Sequence, residues 1–520
     1  MQGKQPTTAA NGSAPVSEPN YDQMPYPSMP FAYTQPAHLA AMVQMFGLEA
    51  PRIANARVLE LGCARGGNII PLAARFPHLT FLGIDLSQRH VDEGGKRVAQ
   101  LGLKNVAIRH GDVTRASFDK HEFDYIICHG VFSWVPRLAQ EAILRICGES
   151  LAPNGIAAVS YNVLPGWHMR KIIRDICLFH AGQTGTPEER VAKARRGLME
   201  IAQALGGANP YATLLRNEAQ KMTKAASAYI LGEFLAEINA PCYFNEFVSR
   251  ARAAGLSYVC DGEVSTSLPE YLFASAEKQI RSMAQDEPLA VQQYCDFFSG
   301  RPFRRSLLVR ADRMTRPAGS IDVARLRGLH FAANLKPDPA KSAPGKLSFS
   351  DSKSGVIAAT DVDIAAMLSR LAAAYPATLT LDEVTESRGD STAEERALKL
   401  LLGLLGREQA NAYALPIRVG RGNAERPQVW KHARVEASAR LPWVTSQNHL
   451  AVKTPPAIAF LAAMMDGSRT HDVLKGELTA AISRGELRKG EEKFELSASD
   501  VEQQYNTALT YMARQGLLVA

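Results

Sequence analysis

The chain has 520 residues, of which 46% are hydrophobic and 21% are charged. This balance is typical of a folded globular protein, and it excludes fibrous, collagen-like and wholly disordered classes. At roughly 150 residues per domain, the length predicts three or four domains. The formal net charge is +7 without a dense Lys/Arg tract, so we expect no nucleic-acid partner.

The sequence carries no signal for a membrane, an export route or a metal. Its first twenty residues lack the charged start and apolar core of a secretory signal, and no apolar run approaches the ~20 residues needed to cross a bilayer. The seven cysteines are scattered singly without a C-x-x-C pair, which disfavours a disulfide framework and a zinc site. We therefore expect a cytoplasmic protein without a membrane span and without a metal.

The first half of the chain alternates between strands and helices. A polar arm and a Pro-rich aromatic segment, Tyr26–Phe31, precede a predicted helix at Pro36–Phe46. Strands are predicted at Arg57–Leu61, Thr80–Ile84, Val106–Arg109, Asp124–Cys128 and Ile156–Tyr161. Helices are predicted between them at Asn68–Arg75, Arg89–Leu101 and Ala139–Leu151. This order predicts a parallel sheet with helices on both faces, whose ligands bind at the carboxyl ends of the strands.

The second half is predicted to be more varied. Residues Gly166–Leu235 are almost wholly helical, and strands Leu256–Cys260 and Phe303–Arg310 then complete the sheet, with the helices inserted above its carboxyl edge as a lid. A mixed segment follows, with strands Leu329–Ala333, Lys346–Ser350 and Val356–Thr360 and helices Val362–Ala373 and Ala393–Leu405. Tail helices at Ala457–Met465, His471–Arg484 and Val501–Gln515, the last introduced by a Ser499/Glu502 capping box, predict a winged-helix-like module.

The most informative segment is Val58–Asn68, an apolar strand that contains Glu60 and leads through a glycine-rich turn into a helix. Gly62 and Gly66 let the backbone approach a ligand, and the helix that follows directs free N–H groups at it. Ala64 stands where a dinucleotide-binding loop of the form G-x-G-x-x-G has its second glycine. The alternative is that these glycines serve only a tight turn.

Three more strand ends carry candidate binding groups. Asp85 follows the second strand, nineteen residues after Gly66, where a carboxylate accepts ribose hydroxyls. Asp112 follows the third strand and is placed to meet an adenine amino group, although a turn cap is its alternative role. His129 follows the fourth strand, where the chain turns beneath the reactive part of a ligand; its alternative is a buried, hydrogen-bonded histidine.

These four strand ends together resemble motifs I to IV of class I S-adenosylmethionine-dependent methyltransferases. The resemblance implies S-adenosylmethionine (SAM) as the cofactor. Its implied binding residues are Glu60, Gly62, Ala64 and Gly66 at the methionine end, Asp85 and Leu86 at the ribose, Asp112 and Val113 at the adenine, and His129 and Gly130 below the sulfonium.

Further segments resemble the bacterial methyltransferases that carry a methyltransferase regulatory domain, a group that includes the rickettsial-type protein-lysine methyltransferases. The matching stretches are residues 26–31, 60–63, 129–136, 160–168 and 241–247. The implied fold is α/β: a Rossmann-like class I sheet with a helical insertion, a mixed α+β middle domain and a winged-helix-like C-terminal domain. The implied domains are an N-terminal arm at 1–38 that contributes to the active-site mouth, the methyltransferase domain at 39–181, the helical regulatory domain at 182–313, the middle domain at 314–416 and the C-terminal domain at 417–520.

Methyl transfer to a lysine requires an in-line arrangement of amine, methyl and sulfur, and it requires a neutral amine. Desolvation lowers the pKa of the amine, and an aromatic wall still attracts the incoming cation. Candidate substrate residues are Tyr26, Phe31, Phe132, Trp134 and Trp167. Candidate catalytic residues are Tyr161, Asn162, Trp134 and His129. Core packing is the alternative role of each aromatic ring.

We therefore expect a SAM-dependent methyltransferase that acts on lysine side chains of a protein substrate, with the helical insertion as a surface for homodimer formation. Two alternatives stay open. One is methylation of a small metabolite or natural-product intermediate, because the same fold serves N, O, C and S acceptors. The other is a regulatory protein that binds the cofactor without catalysis.

Overall fold

The structure of the protein is a computed structural model. It describes residues 28–207, 209–314, 319–353, 355–386, 390–487 and 498–520. Tyr26 and the side chain of Ser499 lie outside the described residues, so the predictions made for them have no structural counterpart. The described chain forms two compact units: Ile173–Ala236 is one, and Ser28–Ile172 together with Glu237–Ala520 is the other.

The larger unit is built on a seven-stranded sheet. Its strands are β1 Arg57–Leu61, β2 Thr80–Asp85, β3 Val106–His110, β4 Phe123–Cys128, β5 Leu151–Asn162, β6 Leu256–Asp261 and β7 Phe303–Arg310. Their order across the sheet is β3-β2-β1-β4-β5-β7-β6. The first five strands run parallel, and β7 lies antiparallel between β5 and β6. The prediction that two late strands complete the sheet is confirmed.

The strand order places the motifs at one point of the sheet. β1 lies between β2 and β4, so the chain crosses over on either side of β1, and a crevice forms outside the carboxyl ends of these strands. Four of the five β1 residues are buried, as expected for a central parallel strand covered on both faces. The acids at the ends of β1, β2 and β3 therefore face a common edge.

Helices cover the sheet and connect its strands. Those of the larger unit up to β7 are α1 Pro36–Met45, α2 Ile69–Arg75, α3 Gln88–Leu101 and α4 Arg137–Ser150, followed after the smaller unit by α9 Phe244–Ala253, α10 Val264–Ser267, α11 Pro269–Leu272, α12 Glu277–Met283 and α13 Pro288–Ser299. Local sequence sets their ends: the Ser87 hydroxyl caps the start of α3, and Gly102, in the left-handed conformation at φ 70°, ends it.

The smaller unit is helical, in agreement with the prediction for residues 166–235. Its helices are α5 Gly166–Ala181, which begins in the larger unit, α6 Pro187–Ala204, α7 Pro210–Lys224 and α8 Ser227–Phe234. A Thr186/Glu189 capping box starts α6. Gly197 of α6 lies so close to the His180 ring that an added Cβ would stand 2.1 Å from it, so only glycine allows this approach. The proposed lid position of this unit stays a prediction.

The rest of the larger unit is mixed. The middle segment contains β8 His330–Ala333, β9 Leu335–Pro337, β10 Leu347–Asp351, β11 Val356–Ala359, α14 Val362–Ala374, α15 Leu381–Thr385, α16 Ser391–Gly406 and β12 Ala410–Tyr413. The C-terminal segment contains α17 Lys431–Ser438, β13 Trp443–Thr445, β14 Ala451–Lys453, α18 Pro456–Met464, α19 His471–Ser483 and α20 Ala498–Arg514. The predicted α+β middle and winged-helix-like tail are therefore present, while the domain boundaries stay predictions.

The core of the larger unit is shared between the sheet and the middle segment. Val58 and Phe81 of the sheet belong to the same apolar cluster as Phe331 and Leu371 of the middle segment. Helix α1 is buried almost completely, as expected for a helix that is apolar on all sides. None of the helices in the described ranges is long and apolar enough to cross a membrane.

A buried ion cluster joins the two last strands to α13. Arg304 of β7 is fully buried; its guanidinium donates to Asp296 of α13 at 3.0 Å and to Asp261 of β6 at 3.0 Å. The same group donates to the Gln292 carbonyl at 2.8 Å and lies 4.0 Å from the centre of the Phe244 ring. Because each charge is paired, the cluster sets how β6 and β7 dock without leaving an isolated ion in the core.

Replacement of Arg304 by methionine is expected to lower the free energy of unfolding by about 3 kcal/mol, because Asp261 and Asp296 then lose the fully buried one of their two counter-charges and keep only Arg301. Urea unfolding followed by tryptophan fluorescence measures this loss. Arg137→Met removes the exposed Arg137–Glu141 pair and is the matched control, with little change expected. Equal stability of the two variants would contradict the role of the cluster.

Candidate active site

The glycine-rich turn after β1 is hydrogen-bonded to the end of β2. The N–H groups of Gly62 and Cys63 both donate to the Ile84 carbonyl, at 2.8 and 3.0 Å. Gly62 has φ 72°, and an added Cβ would stand 2.4 Å from a methyl of Val131, so a side chain is excluded at this position. The turn therefore needs its first glycine for both conformation and space.

Asp85, at the end of β2, holds the same turn from the other side. Its Oδ2 accepts the Ala64 N–H at 2.7 Å, and its Oδ1 accepts the Ser87 N–H at 3.0 Å and faces His90 Nδ1 at 3.3 Å. A carboxylate has about four acceptor positions, so these three contacts leave one open on Oδ2. Asp85 is thus placed both to shape the turn, where Ala64 has φ 46°, and to accept one hydroxyl of a ligand.

Glu60 is the most unusual group of the site. Its side chain is only 4% exposed, and Oε1 accepts Asn68 Nδ2 at 2.8 Å. Among the described residues Oε2 has no hydrogen-bond partner. Burial raises the pKa of Glu60 to about 8, with a smaller contribution from the charge of Asp85, while the Asn68 bond acts in the opposite direction. A buried carboxylate with one unpartnered oxygen fits a cationic ligand group.

The third strand end is more open. Asp112 Oδ1 accepts the Thr114 N–H at 2.8 Å, which is the turn-cap geometry given as its alternative role, and Oδ2 has no such bond among the contacts of the described residues. Val113 is partly buried, whereas Leu86, after β2, is 53% exposed. Leu86 thus presents an apolar side chain to solvent close to the end of β2.

The fourth strand end meets the arm, here defined as residues 28–35. His129 Nδ1 lies 2.7 Å from the Tyr33 hydroxyl, and the Phe31 ring lies 3.8 Å from the imidazole, centre to centre. Burial and the charge of Arg305 lower the pKa of His129 to about 3, so the ring is neutral at pH 7. This favours the buried, hydrogen-bonded interpretation of His129 over a general base. Gly130, at φ 71°, donates its N–H to Ser160 Oγ at 2.8 Å.

The predicted aromatic wall separates into two groups. Phe132 and Tyr161 are buried: the Tyr161 ring stacks on Phe247 at 3.9 Å, and its hydroxyl lies 3.1 Å from Ser306 Oγ. Trp134 and Trp167 form a second pair with ring centres 5.8 Å apart, and Trp134 is partly exposed. Trp167 is itself only 1% exposed, so of these four rings Trp134 is the one that a ligand can reach without rearrangement.

Asn162 is the last residue of β5 and follows Tyr161 directly. Its backbone N–H donates to Ser133 Oγ at 2.8 Å. The side chain is buried, and Nδ2 has no hydrogen-bond partner among the described residues. An unsatisfied buried amide beside the strand end is a candidate contact for a polar ligand group.

Several site residues were not selected from the sequence. Asn68 joins Glu60, Phe31 and Thr34, and Ser28 Oγ accepts the N–H of Gly67 at 2.8 Å. Asn68 stands directly before α2, where asparagine is a common capping residue, but its side chain makes no capping bond and instead contacts Glu60, so the sequence signal predicts a different role. His449, whose Nε2 lies 2.8 Å from Asn68 Oδ1, has no such signal, because 381 residues separate it from Asn68 in the chain.

Three family models match separate parts of the chain. A methyltransferase domain model matches residues 58–155, a predicted methyltransferase regulatory domain matches 226–310, and the model of the PKMT C-terminal winged helix domain matches 425–517. The first covers β1 to the start of β5, where the site lies. The regulatory match extends from the helical unit to β7, and the third match covers the C-terminal segment.

The chain is also similar in sequence to two uncharacterized rickettsial proteins. An uncharacterized protein of Rickettsia prowazekii is 39% identical over 63% of this chain and 59% of its own length, so this chain spans little more than half of that relative. A second uncharacterized protein of the same organism is 37% identical over 45% of this chain and 94% of its own length.

The structure of PKMT2 from Rickettsia typhi in complex with AdoHcy matches over 95% of this chain and 100% of that chain, with a TM-score of 0.83 and 26% identity. The match includes the appended domains as well as the sheet. With the acids of β1, β2 and β3 at one edge of a seven-stranded sheet, the chain belongs to the class I SAM-dependent methyltransferases that carry a methyltransferase regulatory domain.

Proposed function

We propose that this methyltransferase N-methylates lysine side chains of a protein substrate. The observation that carries the proposal is the correspondence with PKMT2 along 95% of the chain, together with the C-terminal winged helix domain of the PKMT type. PKMT denotes a protein-lysine methyltransferase. A catalytic sheet alone serves many acceptors, so the appended domains are what favours a protein over a metabolite.

SAM, when bound, supplies a methyl group that its sulfonium already activates. The residues of the site fit this cofactor, because Glu60 holds an unpartnered carboxylate oxygen where a cationic group is required. In the proposed assignment Glu60 binds the methionine amino group, and Gly62, Ala64 and Gly66 form the surrounding turn. Asp85 and Leu86 bind the ribose, Asp112 and Val113 the adenine, and His129 and Gly130 lie below the sulfonium.

On the acceptor side, the protein has to orient an amine and keep it neutral. We assign Trp134, Trp167 and Phe31 to the mouth, because two of these rings pair with each other and the third covers His129. Aromatic faces attract the lysine cation, and the loss of water then lowers the pKa of its amine. Asn162 is the polar group proposed to orient the amine. Tyr161 and Phe132 are proposed to support this wall from beneath.

Neutral His129 does not supply a strong base in this proposal. Its pKa of about 3 lies far below that of an amine, so it is unsuited to take the lysine proton. The proton is instead lost to solvent before transfer, and orientation then provides the acceleration. Tyr33 and Phe31 hold the imidazole as part of the cofactor floor.

SAM binding at pH 7 is expected to release up to about one proton, because free Glu60 has a pKa of about 8 and a bound cation favours its ionised form. Isothermal titration in buffers of different ionisation enthalpy measures this release. As pH rises from 6 to about 8 the affinity of the wild-type protein should increase, because Glu60 ionises more readily while the ligand amine, with a pKa of about 8, is still largely protonated. Glu60→Gln is expected to weaken binding and to remove the buffer dependence. Proton release that is unchanged in this variant would contradict the assignment of Glu60.

Labelled methyl from SAM is expected to enter the macromolecular fraction of a bacterial lysate, and acid hydrolysis should release it as methylated lysine. Asp85→Ala, which removes the carboxylate that holds the Ala64 turn, is the matched control and should lose both cofactor binding and labelling. Label confined to small molecules would overturn the protein-lysine proposal in favour of a metabolite acceptor. Cofactor binding without label in either fraction would favour a non-catalytic regulatory protein.

A further inference from the structure

The loop between β13 and β14 is unusual because it is buried and polar. Ser446, Gln447, Asn448 and His449 are each at most 8% exposed. Hairpin loops ordinarily lie on the surface, since a buried loop must find partners for its backbone and polar side chains. These residues therefore mark a place where the C-terminal segment is inserted among other elements.

The partners of the loop belong to three other parts of the larger unit. Gln35 of the arm donates to the Asn448 carbonyl at 3.0 Å, and Asn448 Nδ2 donates to the carbonyl of Pro376, after α14, at 3.0 Å. Gln447 Nε2 donates to the Leu518 carbonyl near the end of the chain at 2.7 Å. The two residues directly before His449 are thus anchored to other elements, which fixes where the loop presents the imidazole.

His449 reaches the turn that holds the cofactor. Its Nε2 lies 2.8 Å from Asn68 Oδ1, and its backbone has φ 61°, a left-handed conformation that costs free energy in a residue other than glycine. Burial lowers the pKa of His449 to about 3, so the ring is neutral. Because a carbonyl oxygen only accepts, the single ring proton must lie on Nε2 and is donated to Asn68.

The number of donors to Asn68 Oδ1 shows how His449 orients the Asn68 amide. The amide oxygen has two lone pairs, and the Phe31 N–H at 3.0 Å and His449 Nε2 at 2.8 Å are obligatory donors to it. The Thr34 hydroxyl lies 3.0 Å from the same oxygen but has the Phe31 carbonyl at 2.8 Å as a closer acceptor. Phe31 and His449 therefore fill both lone pairs of Asn68 Oδ1.

These two donors fix the orientation of the Asn68 side-chain amide, so its nitrogen must point away from them, towards Glu60. Nδ2 donates to Glu60 Oε1 at 2.8 Å, which leaves Oε2 as the oxygen without a hydrogen-bond partner among the described residues. A rotated amide would place an oxygen against the Glu60 carboxylate and N–H groups against two donors. His449 acts on Glu60 only through this orientation.

We propose that His449 of the C-terminal domain is a positioning residue for SAM: its donation to Asn68 orients the amide that holds Glu60. This rests on the assignment of Glu60 to the cofactor under the proposed function. The C-terminal domain therefore contributes to cofactor affinity through Asn68, and a change in the β13–β14 loop alters SAM binding by this route.

Isothermal titration of the full-length protein with SAM tests the proposal with two amide replacements. His449→Asn tolerates the left-handed backbone but is too short to reach Asn68, and SAM binding should weaken about 5- to 20-fold, the effect of one lost hydrogen bond in a buried network. His449→Gln places a donor where Nε2 lies and should restore binding to within about threefold of wild type. His471→Asn is the control, because His471 bonds Tyr505 and the Ala424 carbonyl within the same domain.

A double-mutant cycle separates positioning from loss of structure. Asn68→Ala should weaken binding by itself, and His449→Asn should then have no further effect. Additive losses, an equal loss in His471→Asn, or unchanged affinity in His449→Asn would overturn the proposal. Glu60→Gln separates the assignment of Glu60 to the cofactor from the positioning role of His449. If Glu60→Gln leaves SAM affinity unchanged, the assignment of Glu60 fails. If Glu60→Gln weakens SAM binding while His449→Asn does not, only the positioning role is refuted.

Discussion

The structure depends on one buried carboxylate, Glu60 at the end of the central strand. Removing a carboxylate from water is costly unless its oxygens are hydrogen-bonded or paired with a charge. Asn68 satisfies one oxygen, and the other has no partner among the described residues. Burial raises the pKa of Glu60 to about 8, so the ionised carboxylate is disfavoured while the site holds no cation. A bound cationic group would stabilise the ionised form.

Three distant parts of the chain converge on this carboxylate through Asn68. The arm contributes Phe31 and Thr34, the turn after β1 contributes Asn68 itself, and the C-terminal domain contributes His449. The arm also covers His129 with Phe31 and caps the Gly67 N–H with Ser28. Segments outside the sheet thus complete the hydrogen bonds around Asn68 and Glu60, and the proposed role of the C-terminal domain in cofactor binding rests on these contacts.

Much of the sheet was predictable because its signals are local. The bounds of β1 and β7 agree with the prediction, since each is a short segment with adjacent apolar residues that is bounded on at least one side by Gly, Pro or Asn. β13 and β14, with three residues each, are too short for such a signal. Tyr161 and Phe132 were predicted at the mouth, but they lie packed on Phe247, because the sequence indicates that a ring follows a strand and not which way the strand end turns it.

The sequence by itself determined the alternation of strands and helices and the spacing of Glu60, Asp85 and Asp112, because both follow from periodicity and from the rule that parallel strands end at one edge. The tertiary structure alone decided which partners these acids have. Asn68 and His449 are 381 residues apart, and no periodicity or motif links them. Their contact exists because a polar loop of the C-terminal segment is buried and must place its donors on acceptors that the sheet provides.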